Sequence, residues 1–270
     1  MLVLTEVDLL HRSADALTLA GTIDHHWDLA FIHGGASMAA SLEAAGVLTG
    51  EGHRLLAAST TFVRPLRPGA VRASATMVRR GRTSSQVRVD LTAEADAAPA
   101  LTTLAVFGEG SDGWHDHTAV ERPADLTSDP PADVERLGAE SQGYHALPFF
   151  DATDWRVAPP EVAPLRRRAW FRHLTDAGRR TRQRSALAIP ADALGFAVVS
   201  AASPAGSAAY VVSLQISLQV HGDPGDGWTG IESRGVVVHQ GVASGIAHLW
   251  GNDGRLLATA AQTAVLRAVT

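Results

Sequence analysis

The sequence predicts an α+β protein built twice over: a helix followed by about four antiparallel strands, a linker, and the same order again. Three observations carry this. Residues 182–195 (RQRSALAIPADALG) can be laid on residues 33–46 (HGGASMAASLEAAG), which puts Asp192 on Glu43 and Gly195 on Gly46. Each of these segments precedes runs in which alternate residues are apolar, the period of a strand with one buried face. The 270-residue chain is long enough for one large domain or two ordinary ones, and either buries a proper core. Identity between the halves is low, so the repeat is one of order and pattern.

In the first half, Met38, Leu42 and Ala45 form an apolar stripe on a helix that starts after the His33-Gly34-Gly35 turn. Residues 53–65 read as a strand, stopped by Arg64-Pro65 and the turn Arg67-Pro68-Gly69. Alternation at Val71, Ala73, Ala75 and Met77, and again at Val87, Val89 and Leu91 with Gly81 between, gives two antiparallel strands. Residues 100–107 close this first unit, which spans 1–110. Prolines and acidic residues then make 111–164 a linker, apart from an aromatic island, HALPFFDATDW (145–155), expected to pack against the body.

The second unit, 165–270, repeats the order. Residues 165–173 read as a strand and 182–199 as a helix. Leu214, Ile216, Leu218 and Val220 then share one strand face, with Ser213, Gln215, Ser217 and Gln219 on the other. Strands at 227–239 and 242–250 lead through Asn252-Asp253-Gly254 to a last strand ending at Arg267.

Composition narrows the classes. The chain has no cysteine, so neither disulfides nor thiolate-bound metals are available. A net charge of −5 gives no electrostatic reason to expect nucleic acid. The first residues, MLVLTEVDLLHRS, lack a basic leader followed by an apolar stretch, and no apolar run approaches the ~20 residues that cross a bilayer. The expectation is a soluble, cytoplasmic protein with no membrane partner. G-x-S-x-G, the phosphate-binding lysine loop and the dinucleotide fingerprint are all missing, which removes the common hydrolase and nucleotide-dependent classes.

Few polar residues interrupt the apolar faces. Asp192 has Ala188, Ile189, Gly195 and Phe196 as helical neighbours, so its carboxylate lies on an apolar stripe; it is either a site residue or a boundary Asp after Pro190. Gln262 shares a strand face with Ala258, Ala260, Ala264 and Leu266. Its amide either bonds neighbouring backbone or holds something polar. Ser213 begins the polar face of its strand, where a hydroxyl is ordinary. Gly34 and Gly35 leave free N–H groups at a helix start, suited to a carbonyl oxygen or phosphate, or simply make the turn. His25-His26 lacks metal-ligand spacing, so no metal site is expected. Arg79, Arg80 and Arg82 read as a solvated hairpin more readily than as a phosphate site.

With these residues in place, the chain resembles the acyl-CoA thioesterase II-like family of double hot-dog proteins. The resemblance is carried by AFIHGGASMAASLEAA, TTFVRPLRPG and GRTSSQVRVDL in the first half, and by AWFR, LAIPADAL and above all GNDGRLLATAAQTAVLR in the second. It implies a tandem hot-dog fold, two curled antiparallel sheets each wrapped around a helix. It also implies hydrolysis of acyl-CoA thioesters by a water held and activated by an Asp, a Ser or Thr, and a Gln, which fall here on Asp192, Ser213 and Gln262. No cofactor is implied, CoA being part of the substrate. N–H groups near Arg184 and Ser185 would polarise the carbonyl in this reading. Glu43, Thr60 and Phe107 are the matching first-half positions, leaving that copy without the amide. Pro190 falls inside the expected helix, and Gln215 stands where the family often has an acid. The alternative on the same fold is a non-hydrolytic acyl-thioester binding protein. A hot-dog hydratase would need an Asp and His arrangement that this sequence lacks. Since such sheets commonly join edge to edge, a homodimer is a possible assembly.

Overall fold

The computed structural model describes residues 1–50, 52–110, 114–138, 147–159, 165–174, 183–202 and 209–268. The first half runs β1 (Leu4–Arg12), β2 (Ala16–Ile23), α1 (Gly34–Thr49), β3 (Arg54–Phe62), β4 (Gly69–Arg80), β5 (Ser84–Ala93) and β6 (Leu101–Gly108). Next comes the short helix α2 (Phe149–Ala152). The second half then gives β7 (Thr153–Val157), β8 (Arg166–His173), the helical segments α3 (Ala188–Ala191) and α4 (Leu194–Ala202), β9 (Ala209–Val220), β10 (Thr229–His239), β11 (Val242–Trp250) and β12 (Leu256–Ala268).

Among the described residues, twelve strands form one antiparallel sheet in the order β1-β2-β4-β5-β6-β3-β9-β12-β11-β10-β8-β7. Read outward from the centre, the two sides have the same topology, so the duplication read from sequence is realised as two curled hot-dog sheets fused through β3 and β9. At the seam Ser59 lies opposite Ser217, and Gln215 donates to Ser59 Oγ at 3.0 Å.

Strands β1, β2 and β7 were not expected. The sequence reading gave the first unit, 1–110, no strand ahead of its helix and placed residues 153–157 in the linker. Yet β2 alternates buried and half-buried residues throughout its length, and β7 pairs with β8 from Thr153↔His173 to Val157↔Ala169. Part of the aromatic island is core: Phe149, Phe150 and Trp155 are buried. The preceding stretch is anchored too, with Leu126 packed among Trp170, Trp228 and Trp250.

Helix α1 is buried on every side rather than along a stripe. Small residues make this feasible: Ala36, Ala39, Ala40, Ala44 and Ala45 let the curled sheet approach closely. Ser37 and Ser41 satisfy their hydroxyls on the helix's own carbonyls, those of His33 and Ser37, at 3.2 and 3.3 Å.

The second helix is not the continuous element expected over 182–199, whose residue 182 lies outside the described residues. A 3₁₀ turn (Arg184–Leu187) passes into α3, the chain breaks at Asp192 (φ −85°, ψ 58°), and α4 starts at Leu194. Pro190 has no N–H to give to a preceding carbonyl, so this stretch cannot be regular α-helix throughout.

Candidate active site

Asp192 sits at the helix break with a side chain only 9% exposed. Its Oδ1 accepts the Ser213 hydroxyl at 2.9 Å and the Gln262 Nε2 at 2.5 Å; Gln262 Nε2 also lies 2.8 Å from Ser213 Oγ. The Gln262 Oε1 accepts the Leu194 N–H at 3.2 Å. In an unbroken helix that N–H would belong to the carbonyl of Pro190. The break frees it, and because Oε1 is then occupied, the amide must present its donors to Asp192 and Ser213.

A bulge aims the serine. Simple alternation puts Ser213 on the face of Gln215, away from the helix. In β9, however, Ser213 pairs with Ala264 and Gln215 with Thr263, so Leu214 is left without a partner. The extra residue rephases the strand, exposing Leu214 and turning Ser213 toward the same side as Ile216 and Gln262.

The other carboxylate oxygen looks across to the first half. Asp192 Oδ2 accepts the Gly35 N–H at 3.0 Å, and His33 Nε2 lies 3.6 Å away. Two glycines make this approach feasible. A Cβ on Gly34 would sit 2.6 Å from Asp192 Oδ2, and one on Gly35 would sit 2.3 Å from the carbonyl oxygen of Ala188. His33 was read from sequence only as part of a turn; the single available signal was its place beside the paired glycines. It is buried and stacked on Phe149, with ring centroids 4.5 Å apart. Burial favours the neutral ring and pushes its pKa down, against the opposing pull of the Asp192 carboxylate.

Five of the expected site residues thus converge: Asp192, Ser213, Gln262, Gly34 and Gly35. Arg184 and Ser185 do not join them. They line a separate cavity of about 650 Å³ on the Glu43 side. Arg184 donates there to Asp223 at 2.6 Å and to the Leu55 carbonyl at 3.0 Å. The halves cross over: the start of α1 faces the second-half Asp192, and the start of the second helical segment faces the first-half Glu43.

The expected first-half counterparts also need correction. In β3 the bulge leaves Leu56 unpaired, with Leu55 opposite Phe107 and Ala57 opposite Val106. Matching this bulge to that of β9 puts Leu55 on Ser213, Phe107 on Ala264 and Ala105 on Gln262. Thr60 instead pairs its hydroxyl with Thr103 at 2.7 Å. Glu43 does correspond to Asp192, but its oxygens accept the backbone N–H groups of Leu2, Val3 and Leu4 at 2.5 to 3.3 Å.

Among the described residues no cluster of three or more His, Cys, Asp or Glu is placed to hold a metal ion. His25 and His26 instead approach Asp24 at 2.7 and 2.8 Å, and Arg80 donates to the Ala14 carbonyl at 2.8 Å. None of the described helices is long and apolar enough to cross a membrane.

Two family models match in tandem. The acyl-CoA thioesterase N-terminal domain matches residues 23–108, and the acyl-CoA thioesterase C-terminal domain matches residues 109–266. The chain belongs to the acyl-CoA thioesterase family. Solved structures agree on the fold of this thioesterase. A hot-dog protein from Alicyclobacillus acidocaldarius is 22% identical, with a TM-score of 0.75 over 97% of each chain. An acyl-CoA thioesterase II from Mycobacterium marinum is 19% identical, with a TM-score of 0.71 over 97% of this chain and 96% of its own. No curated protein matches this sequence. Membership makes thioester hydrolysis the general activity and an acyl-CoA the ligand class of this thioesterase.

Proposed function

We propose that Asp192, Ser213 and Gln262 hold and activate the water that hydrolyses an acyl-CoA thioester. The observation that carries this is the meeting of the Ser213 hydroxyl and the Gln262 amide on one buried carboxylate oxygen, at 2.9 and 2.5 Å. These two donors fix the carboxylate, leaving Oδ2 as the edge that meets water and substrate at the start of α1. Asp192 takes a proton from water as the water oxygen bonds to the thioester carbon. The C–S bond then breaks, and the proton passes to the departing thiolate. The oxyanion forms against the N-terminus of α1 beside Gly34 and Gly35, where the helix dipole favours negative charge and the Gly35 N–H is shared with Asp192 Oδ2. This role belongs to Gly34 and Gly35, in place of Arg184 and Ser185. No covalent intermediate is required.

The test is hydrolysis of acyl-CoAs from short to long chain by the wild type and by Asp192→Asn. Turnover is expected to fall by about 10²- to 10⁴-fold, the range for loss of a general base, with acyl-CoA binding kept. Undiminished turnover in the variant would overturn the assignment. A wild type that binds the whole panel without hydrolysing it would favour a binding protein on this fold.

A further inference from the structure

The cavity on the Glu43 side occupies, in the first half, the place that the Asp192 site occupies in the second. Its inner wall is mainly apolar, formed by Leu42, Gly46, Leu55 and Phe107 beside Glu43, and its rim carries the exposed cations Arg12 and Arg54 together with Asp223, which is paired with Arg184. Arg184 is braced across its wall by Asp223 and the Leu55 carbonyl. An apolar interior under a cationic rim suits an acyl chain with an anionic head.

The same cavity lacks two of the three groups the reaction needs, and its carboxylate is engaged elsewhere. Leu55 stands in the position of Ser213, and Ala105 in that of Gln262. The Glu43 carboxylate is committed to three backbone N–H groups of the first strand's approach. Neither a water nor a thioester carbonyl meets an available base here.

We infer that this cavity is a second, non-hydrolytic binding site for an acyl chain bearing a carboxylate or phosphate head. It rests on the proposed function only in taking acyl-CoA as the ligand of the other site. Two sources share the required chemistry: intact acyl-CoA, and the free acid its hydrolysis releases. Either would let the enzyme respond to its own substrate or product away from the hydrolytic centre.

Gly46 gives a clean test. A Cβ there meets nothing closer than the Phe107 ring edge at 3.9 Å, so Gly46→Leu fills the cavity without a backbone clash. Leu is also the better helix former, by about 1 kcal/mol. Calorimetric titration of the full chain with S-decyl-coenzyme A, a thioether that cannot be hydrolysed, and separately with decanoate reads the occupancy. With at least one of these ligands, wild type is expected to show a bound molecule that Gly46→Leu loses while hydrolysis is retained. Arg54→Glu should weaken that same binding about tenfold. Decanoate filling the cavity assigns the free acid; the thioether alone doing so assigns the CoA-bearing ligand. If neither ligand distinguishes wild type from Gly46→Leu, the second site does not exist. Occupancy lost in Gly46→Leu reports on this cavity, and turnover lost in Asp192→Asn on the other, so the two readings fail separately.

Discussion

The N–H of Leu194 is bound by the side chain of Gln262, 68 residues away in sequence, at 3.2 Å. A helix interruption thereby orients an amide on the last strand. That amide has no freedom to flip, because reversing it would set two donors, its own NH₂ and the Leu194 N–H, against each other.

Gln262→Ala removes both donations at once. The remaining pair, Ser213 and Asp192, keeps its hydrogen bond but loses its lateral restraint. A fall in kcat of about 10²-fold is expected, in line with removal of one positioned donor. Because Ser213 and Gln262 act on the same oxygen, their effects should not multiply. Steady-state kinetics of Ser213→Ala, Gln262→Ala and the double variant are expected to show coupling of about 1 kcal/mol or more.

The paired glycines of α1 separate geometry from stability. Gly34→Ala places a methyl against Asp192 Oδ2 and beside the Phe62 ring, while the local backbone accepts it. Thermal stability should change by no more than about 1 kcal/mol, with kcat falling about 10²-fold as the carboxylate is displaced. Gly35→Ala is different in kind. Its Cβ would meet the Ala188 carbonyl and the Ile189 backbone, neither of which can rotate away. A loss of about 3 kcal/mol is expected in urea denaturation.

Stability should depend on pH through His173. Burial against Trp27 and Phe171 pushes its pKa down to about 4, from an ordinary value of 6.5. Above 6.5 neither the folded nor the unfolded chain protonates it. As pH falls toward 4, the unfolded chain binds the proton first, so stability is lost across that window. Urea midpoints measured from pH 7 to 4 should fall more steeply for wild type than for His173→Phe. The difference is expected to be about 1 to 2 kcal/mol, allowing for the ring's partial exposure. Equal slopes would mean the ring is hydrated in the folded state.

A second pH effect belongs at lower pH. The Glu232 carboxyl is buried, which pushes its pKa up. The His248 ring 3.7 Å away and hydrogen bonds from Arg234 and Arg166 outweigh that and hold it at about 2. Its contribution is complete above about 4.5 and is lost as pH falls toward 2. Glu232→Gln should destabilise the protein at pH 7 and lose less on acidification than wild type does, as followed by circular dichroism.

Much of the fold was legible because strand periodicity survives burial. The runs at Val71 to Met77 and Val87 to Leu91 became β4 and β5, and the last strand, read to Arg267, ends beside it at Ala268. Strand β2 carries a readable alternation through Leu17, Leu19 and Ile23 that the sequence reading left unassigned; β1 was passed over because seven of its nine residues are exposed and two bulges disrupt its pairing. Nothing in such a stretch marks it as a sheet edge. The match of Glu43 to Asp192 held. The matches of Thr60 and Phe107 did not. The helix-to-strand connection is longer in the second half, and sliding one pattern over another counts residues without seeing such an insertion.

By itself the sequence determined the duplication, the α+β class and the two polar residues, Asp192 and Gln262, set on apolar faces, since periodicity and composition are local properties of a chain. Tertiary structure alone decided which helix start each carboxylate faces. It also turned Ser213 inward through the bulge at Leu214, drew Gly34 and Gly35 across to Asp192, and sent Arg184 and Ser185 to the other cavity. These choices depend on how two similar halves cross at the β3–β9 seam. The physical reason is that packing between distant segments is settled by close approach and strand register, and neither leaves a periodic trace in the sequence.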